Sequence, residues 1–292
     1  MLVEIFNVIA PVLVCALIGF VWKKQGHEYP SEFVSKLVFN VGAPCLVVSS
    51  ISGVALDMDA LLSMTLATIL CLVLVSLVAW IVIKVNGHDV RAFIVSMAFP
   101  NVGNMGLPLA LFAFGEEGLA LAVAYFMVIS IAHFSIGMAI ASGEAIRFSH
   151  FLRNPILWSI CVAVGLVSFS LSLPTWMASS LKLIGDMTIP LMLITLGVSL
   201  AGIQVKHWTL GIGYSLLRIG LGGLIALLVA WSLDLKGLER AVLIMQGIMP
   251  VAVFNYLFAL KSGKHVDTVA SLVMISTVMS IVLLPFVLGQ LM

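Results

Sequence analysis

Ten residues inside one apolar segment, Phe99-Pro-Asn-Val-Gly-Asn-Met-Gly-Leu-Pro108, hold two prolines, two glycines and two asparagines. Each proline lacks a backbone N–H and its ring strikes the preceding turn, so a helix running through this stretch breaks. The break leaves peptide groups loose at membrane depth, where it persists only beside protein or a water-filled cavity. A second apolar segment repeats the pattern with Gln246-Gly-Ile-Met-Pro250 and Asn255. A half-helix restarting after each break, with Pro108 or Pro250 at a first helical position, presents unpaired amides and a positive dipole end. Two such starts converging make an anion site that needs no charged side chain. The preceding half-helices end in free carbonyls, which suit a cation or a proton-bearing water. The chemistry is therefore recognition of a carboxylate, with Asn101, Asn104, Pro108, Gln246, Pro250 and Asn255 as the substrate-binding set. Each amide also has a plainer reading as the partner of a freed backbone group, since such bonds are ordinary between membrane helices. Gly103, Gly106 and Gly247 read as structural, allowing close backbone approach.

Four further residues are candidates for coupling or gating: Asp186, Arg218, His133 and Asn40. Counting 1.5 Å per residue puts Asp186 about 13 Å below the outer end of its span and Arg218 about 15 Å above the inner end of its own. The two are then nearly level in a core about 30 Å thick and could pair. The alternative for Asp186 is an i,i+4 pair with Lys182; for Arg218 it is snorkelling toward the cytoplasm. His133 is either a neutral, hydrogen-bonded histidine or a proton relay. The clustered methionines and phenylalanines read as ordinary packing.

These residues need membrane helices to position them. The 292 residues are 62% hydrophobic and 9% charged, with mean hydropathy +1.22, whereas soluble domains carry about 25% charged residues. The net charge of +1 argues against a nucleic-acid binder, which would show a basic patch. There is no phosphate-loop motif for ATP-driven transport, and no H-E-x-x-H or second intramembrane aspartate for an intramembrane enzyme. Cys15, Cys45, Cys71 and Cys161 lie in apolar segments without a C-x-x-C pair, and read as small buried hydrophobes. No resident cofactor is implied, Na+ or H+ being the candidate coupling ions.

At about 20 residues per span, the chain divides into ten: roughly 2–22, 34–53, 60–84, 92–113, 119–142, 155–173, 177–200, 209–232, 239–260 and 267–291. The first lacks a positive flank ahead of it and reads as a permanent span, not a signal peptide. Loops on one side hold ten lysines and arginines, Arg147 and Arg153 included, against Lys182, Lys236 and Arg240 on the other. The first side is cytoplasmic by the positive-inside rule, so both termini face outward. The outer loops carry Asp57, Asp59, Glu116 and Glu117 instead. Asn40-x-x-x-Pro44 recurs 146 residues later as Asp186-x-x-x-Pro190, and Arg91-Ala ahead of Pro100 recurs as Arg240-Ala ahead of Pro250. The expected fold is an all-α polytopic membrane protein: a first five-helix repeat over 1–142, a cytoplasmic linker over 143–154, and an inverted repeat over 155–292. Proline-interrupted spans in matching positions of two halves point to a transporter's binding site.

Pro100-Asn-Val-Gly-Asn-Met-Gly-Leu-Pro108, Gln246-Gly-Ile-Met-Pro250, Ser276-Thr277 and Leu284-Pro285 resemble the auxin efflux carrier family, bacterial permeases related to plant auxin exporters, over essentially the whole chain. The resemblance implies ten spans in a five-plus-five inverted repeat, with spans 4 and 9 crossing at their broken midpoints. It implies a homodimer whose scaffold uses spans 1, 2, 6 and 7 while the rest move. It also implies a small organic anion as substrate, auxin or a dicarboxylate such as malate or malonate. The long cytoplasmic loop of the plant exporters has no counterpart here, only 143–154. The expected function is a secondary transporter working by alternating access, elevator-type, in a bacterial cytoplasmic membrane. A sodium-coupled symporter of the bile-acid type, or a passive channel, are the alternatives.

Overall fold

The computed structural model describes residues 2–53, 58–143, 154–169 and 171–292. Most of the expected linker, with Arg147 and Arg153, and Asp57 of the first outer loop lie outside the described residues. The described chain is helical throughout: α1 Leu2–Lys24, α2 Ser31–Leu37, α3 Ala43–Ser52, α4 Met58–Val85, α5 Val90–Ala98, α6 Leu107–Ala132, α7 Met138–Ser142 and α8 Pro155–Ser168. The second half adds α9 Thr175–Asp186, α10 Thr188–Gly202, α11 Trp208–Ser232, α12 Gly237–Gly247, α13 Val253–Ser262 and α14 Val266–Leu291. Wide π turns at Val38–Gly42, Val102–Gly106 and His133–Gly137 join α2 to α3, lead into α6 and join α6 to α7.

Among the described residues seven helical runs are long and apolar enough to cross a membrane. Six of them correspond to expected spans 1, 2, 3, 7, 8 and 10. The seventh, Val102–Ser142, is two helices in one run, because Gly115 turns the chain at φ 69° and ψ −162°. That conformation belongs essentially to glycine. Expected spans 4 and 9 are each divided into short halves, α5 and the start of α6, and α12 and α13. Expected span 6 is the 14-residue α8. Expected span 7 is interrupted at Met187, between α9 and α10. Pro190 has no N–H to offer the Asp186 carbonyl one turn back, which accounts for the break.

The outer surface is apolar in the way lipid requires. On α4, Leu62, Leu66, Ile69, Val73 and Leu77 form an exposed stripe at helical spacing, while Met64, Ala67, Cys71, Val75 and Ala79 form the buried one. α1 and α10 touch main chain to main chain. A side chain on Gly19 would strike the Ile194 carbonyl, and one on Gly197 the Ala16 carbonyl. Such small-residue contacts are a main source of helix association in lipid. The middle of the molecule belongs to the broken helices. Every residue of α5 from Ala92 to Ala98, and of α12 from Ala241 to Gly247, is buried.

Candidate functional site

The first break follows from Pro100. A residue preceding proline is driven out of the helical region, and Phe99 is extended at φ −109° and ψ 102°, ending α5. The chain becomes helical again at Val102, in a π turn whose Met105 and Gly106 N–H groups both reach the Asn101 carbonyl at 3.2 Å. Pro108 enters only after that turn, near the start of α6. The expectation that Pro108 opens the half-helix is thereby corrected: the break lies at Pro100, and the wide turn absorbs Pro108. The second break spans Ile248–Ala252 between α12 and α13. Pro250 lies inside it and Val253 is the first helical residue, so Pro250 does not open its half-helix either.

The two breaks meet through their main chains. Asn101 N–H donates to the Pro250 carbonyl at 2.7 Å, and Ala252 N–H to the Phe99 carbonyl at 3.2 Å. The result is an isolated antiparallel bridge between Pro100 and Val251. Val251 N–H donates to Ser276 Oγ at 3.0 Å. Backbone groups freed at membrane depth are thus satisfied by each other and by α14, as the bilayer demands.

Side chains lock the same junction. Asn255 Nδ2 faces the Val95 and Phe99 carbonyls at 3.4 and 3.5 Å. That orientation turns its oxygen toward His133, whose Nε2–H donates to Asn255 Oδ1 at 2.6 Å. The imidazole stacks on Phe99, with centroids 4.5 Å apart and 11° between planes. Gln246 is fully buried against Gly106, where any added side chain would strike its amide. Neither of its amide atoms, nor Asn101 Nδ2, has a protein hydrogen-bond partner among the described residues.

Asn101, Asn104, Ser130 and His133 line one cavity of about 20 Å³, walled by Phe39, Phe126, Phe134 and Phe254. That volume is on the scale of one water molecule, so the junction is closed to an organic acid in this conformation. Phe39, Phe134 and Phe254 also line a groove of about 630 Å³ bearing Ser31, Glu32, Lys36 and Lys261. Their ring centroids lie 4.8–5.3 Å apart, so three mutually packed rings separate the groove from the cavity. Sequence reasoning took these phenylalanines for packing, did not single out Ser130, and marked Ser276 only as part of a family motif. The four-residue spacing of Phe254 and Phe258 on a short half-helix was the one available signal.

The coupling candidates divide. Arg218, 2% exposed, sends Nη2 to the Gly247 carbonyl at the end of α12, at 3.3 Å. Its Nε and Nη1 have no partner among the described residues. Gly222, one turn on, is in main-chain contact with Gly247, which is how α11 brings the guanidinium to that helix end. The pairing with Asp186 that depth allowed does not form. The Asp186 side chain is 57% exposed and pairs with Lys182 at 3.5 Å, and Lys182 also reaches Glu116 at 3.3 Å. Asn40 is likewise exposed; within the first π turn its Nδ2 donates to the Lys36 carbonyl of its own helix at 2.8 Å. Among the described residues no group of histidine, cysteine and carboxylate side chains could hold a metal.

The family model described as membrane transport protein matches residues 4–150 and 144–288. An uncharacterized transporter of Methanothermobacter thermautotrophicus is 28% identical over 292 residues, covering 94% of each chain. An uncharacterized transporter of Methanocaldococcus jannaschii is 25% identical over 296 residues, covering 95% of this chain and 96% of its own. With its broken helices joined around buried amides, the chain belongs to the membrane transport protein family, the auxin efflux carrier-like group.

Proposed function

We propose that this protein is a secondary transporter for a small organic anion, working by alternating access where spans 4 and 9 cross. The observation that carries the reading is the bridge between Pro100 and Val251 beside a cavity lined by Asn101, Asn104, Ser130 and His133. Two broken helices bonded at their breaks, next to buried amides, are how many carriers build a midplane site. Closure of that cavity by Phe39, Phe134 and Phe254 suits an occluded state. A carrier must pass through such a state, whereas an open channel has no need of one. The reading counts α5 with the start of α6, and α12 with α13, as spans 4 and 9 of ten in a five-plus-five inverted repeat. The reading takes the motion as elevator-type, the membrane as a bacterial cytoplasmic membrane, and both termini as extracytoplasmic.

Arg218 bears on the coupling ion. The carbonyl end of α12, a natural cation site, already faces a guanidinium. The reading is therefore proton coupling or uniport. It includes a homodimer through α8 and α9, since α9 buries only Gly185 and exposes Trp176, Met177 and Leu183.

Counterflow in proteoliposomes tests the function. Vesicles loaded with malate, malonate or an aryl acetate should accumulate the labelled acid saturably, equally well in sodium and in choline buffer. Non-saturable flux without counterflow means a channel, and strict sodium dependence means a symporter. Single cysteines replacing Ser31 and Glu117 should be labelled from opposite faces. Labelling of both from one face overturns the topology.

A further inference from the structure

A second polar cavity, of about 190 Å³, lies away from the aromatic groove and is lined by Asp89, Arg91, Ser96, Asn255, Lys264 and His265 among others. Its mouth is cationic. Neither Arg91 nor Lys264 has a carboxylate partner among the described residues. The acid beside them, Asp89, is already engaged, its Oδ1 capping α5 through Arg91 N–H at 2.9 Å and its Oδ2 taking His265 Nε2 at 3.0 Å. Two helices begin at this cavity, α5 after Asp89 and α14 after His265, and helix beginnings favour anions. The inner wall adds an independent sign of a ligand. Ser96 is 1% exposed, lines the cavity, and has a hydroxyl with no partner among the described residues. A buried hydroxyl normally has a partner.

We propose that this cavity is a second anion site, binding a small hydrophilic oxyanion between Arg91 and Lys264 at the mouth and Ser96 at the base. Carboxylate and phosphate share the required chemistry: negative charge and several acceptor oxygens. The volume is below that usual for drug-sized ligands, and the wall lacks the phenylalanines of the groove, so large aromatic acids are excluded. The site stands whether or not the crossing binds substrate.

The test needs no flux measurement. Ser262 lies at the rim, half-buried. In a background without the native cysteines, Ser262→Cys should react with an anionic methanethiosulfonate roughly fivefold to tenfold faster than with a cationic one, relative to free thiol. That is the scale of one or two unit charges nearby in water. Arg91→Gln with Lys264→Gln, both at exposed positions, should abolish the preference while leaving the thermal melt unchanged. Malonate or phosphate should protect Ser262→Cys saturably from a neutral maleimide; protection by one alone names the class. Equal rates for the two reagents overturn the proposal. So does protection no better than choline chloride at matched ionic strength, or protection that survives the double substitution.

Discussion

The two breaks solve one problem with different chemistry. Apart from the two bonds the breaks share, the freed groups at Phe99–Asn104 are met locally: a π turn folds two N–H groups onto one carbonyl, and the side chains supplied are neutral amides. At Ile248–Ala252 there is no such turn. The end of α12 is met from outside by the guanidinium of Arg218, and the loop by the hydroxyl of Ser276. The first break is therefore electrically neutral, its Asn101 and Asn104 lining a cavity of about 20 Å³ that is closed in this conformation, while the second holds a positive charge. If the substrate is the anion proposed above, this asymmetry sets a fixed cation at one break and neutral amides at the other.

Arg218→Met should break the comparison most severely. Replacing a buried, unpaired charge by an apolar side chain is often neutral or stabilising for a fold. We expect uptake to fall to background while the thermal midpoint holds or rises. A large drop in the midpoint would make Arg218 a clamp on α12 instead.

Asn104→Ala tests the neutral break. Loss of a buried hydrogen bond to ligand should weaken calorimetric binding by about 1–3 kcal/mol, roughly tenfold to over a hundredfold in Kd. Unchanged affinity would move the anion away from the first break.

Gly106→Ala and Gln246→Ala sharpen the link between the breaks. The alanine methyl at 106 collides with the Gln246 amide, so Gly106→Ala should destabilise in the wild type and much less beside Gln246→Ala. A coupling of about 0.5–3 kcal/mol in thermal melts is expected for residues in contact. Additive effects would mean that the two breaks are independent.

The smallest effect belongs to Asp186→Asn. An exposed pair such as Asp186 with Lys182 contributes about 0–1 kcal/mol, so uptake, its pH profile and the thermal midpoint should all stay close to wild type. A shifted pH profile would return Asp186 to the coupling machinery.

What the sequence discloses here follows what a single residue can impose on its neighbours. Pro100 ends α5 whatever lies around it, and the break was legible. So were the apolar segments, because hydropathy is local. The site's contacts were not: His133 and Asn255 are 122 residues apart, and nothing in either segment names the other. Pro108 misled because a π turn shifts the frame by one residue, and no residue type signals such a turn. For Asp186 depth counted along a span left two partners open, because depth says nothing of the face, and the side chain pairs with Lys182 one turn back on its own helix. Phe39, Phe134 and Phe254 were invisible as a barrier because aromatic rings in apolar helices normally pack, and only their shared place between groove and cavity gives them a second role.

The seam between Pro100 and Val251 has a consequence for how such chains diverge. Its two hydrogen bonds run between main chains, so a substitution at Asn101 or Ala252 leaves both donors in place unless the new residue is proline. Only the donors are constrained. Proline at 100 or 250 costs nothing, because neither N–H is used; proline at 101 or 252 would cut one stitch. The seam is thus a rule about where proline is forbidden, not about which side chain is present.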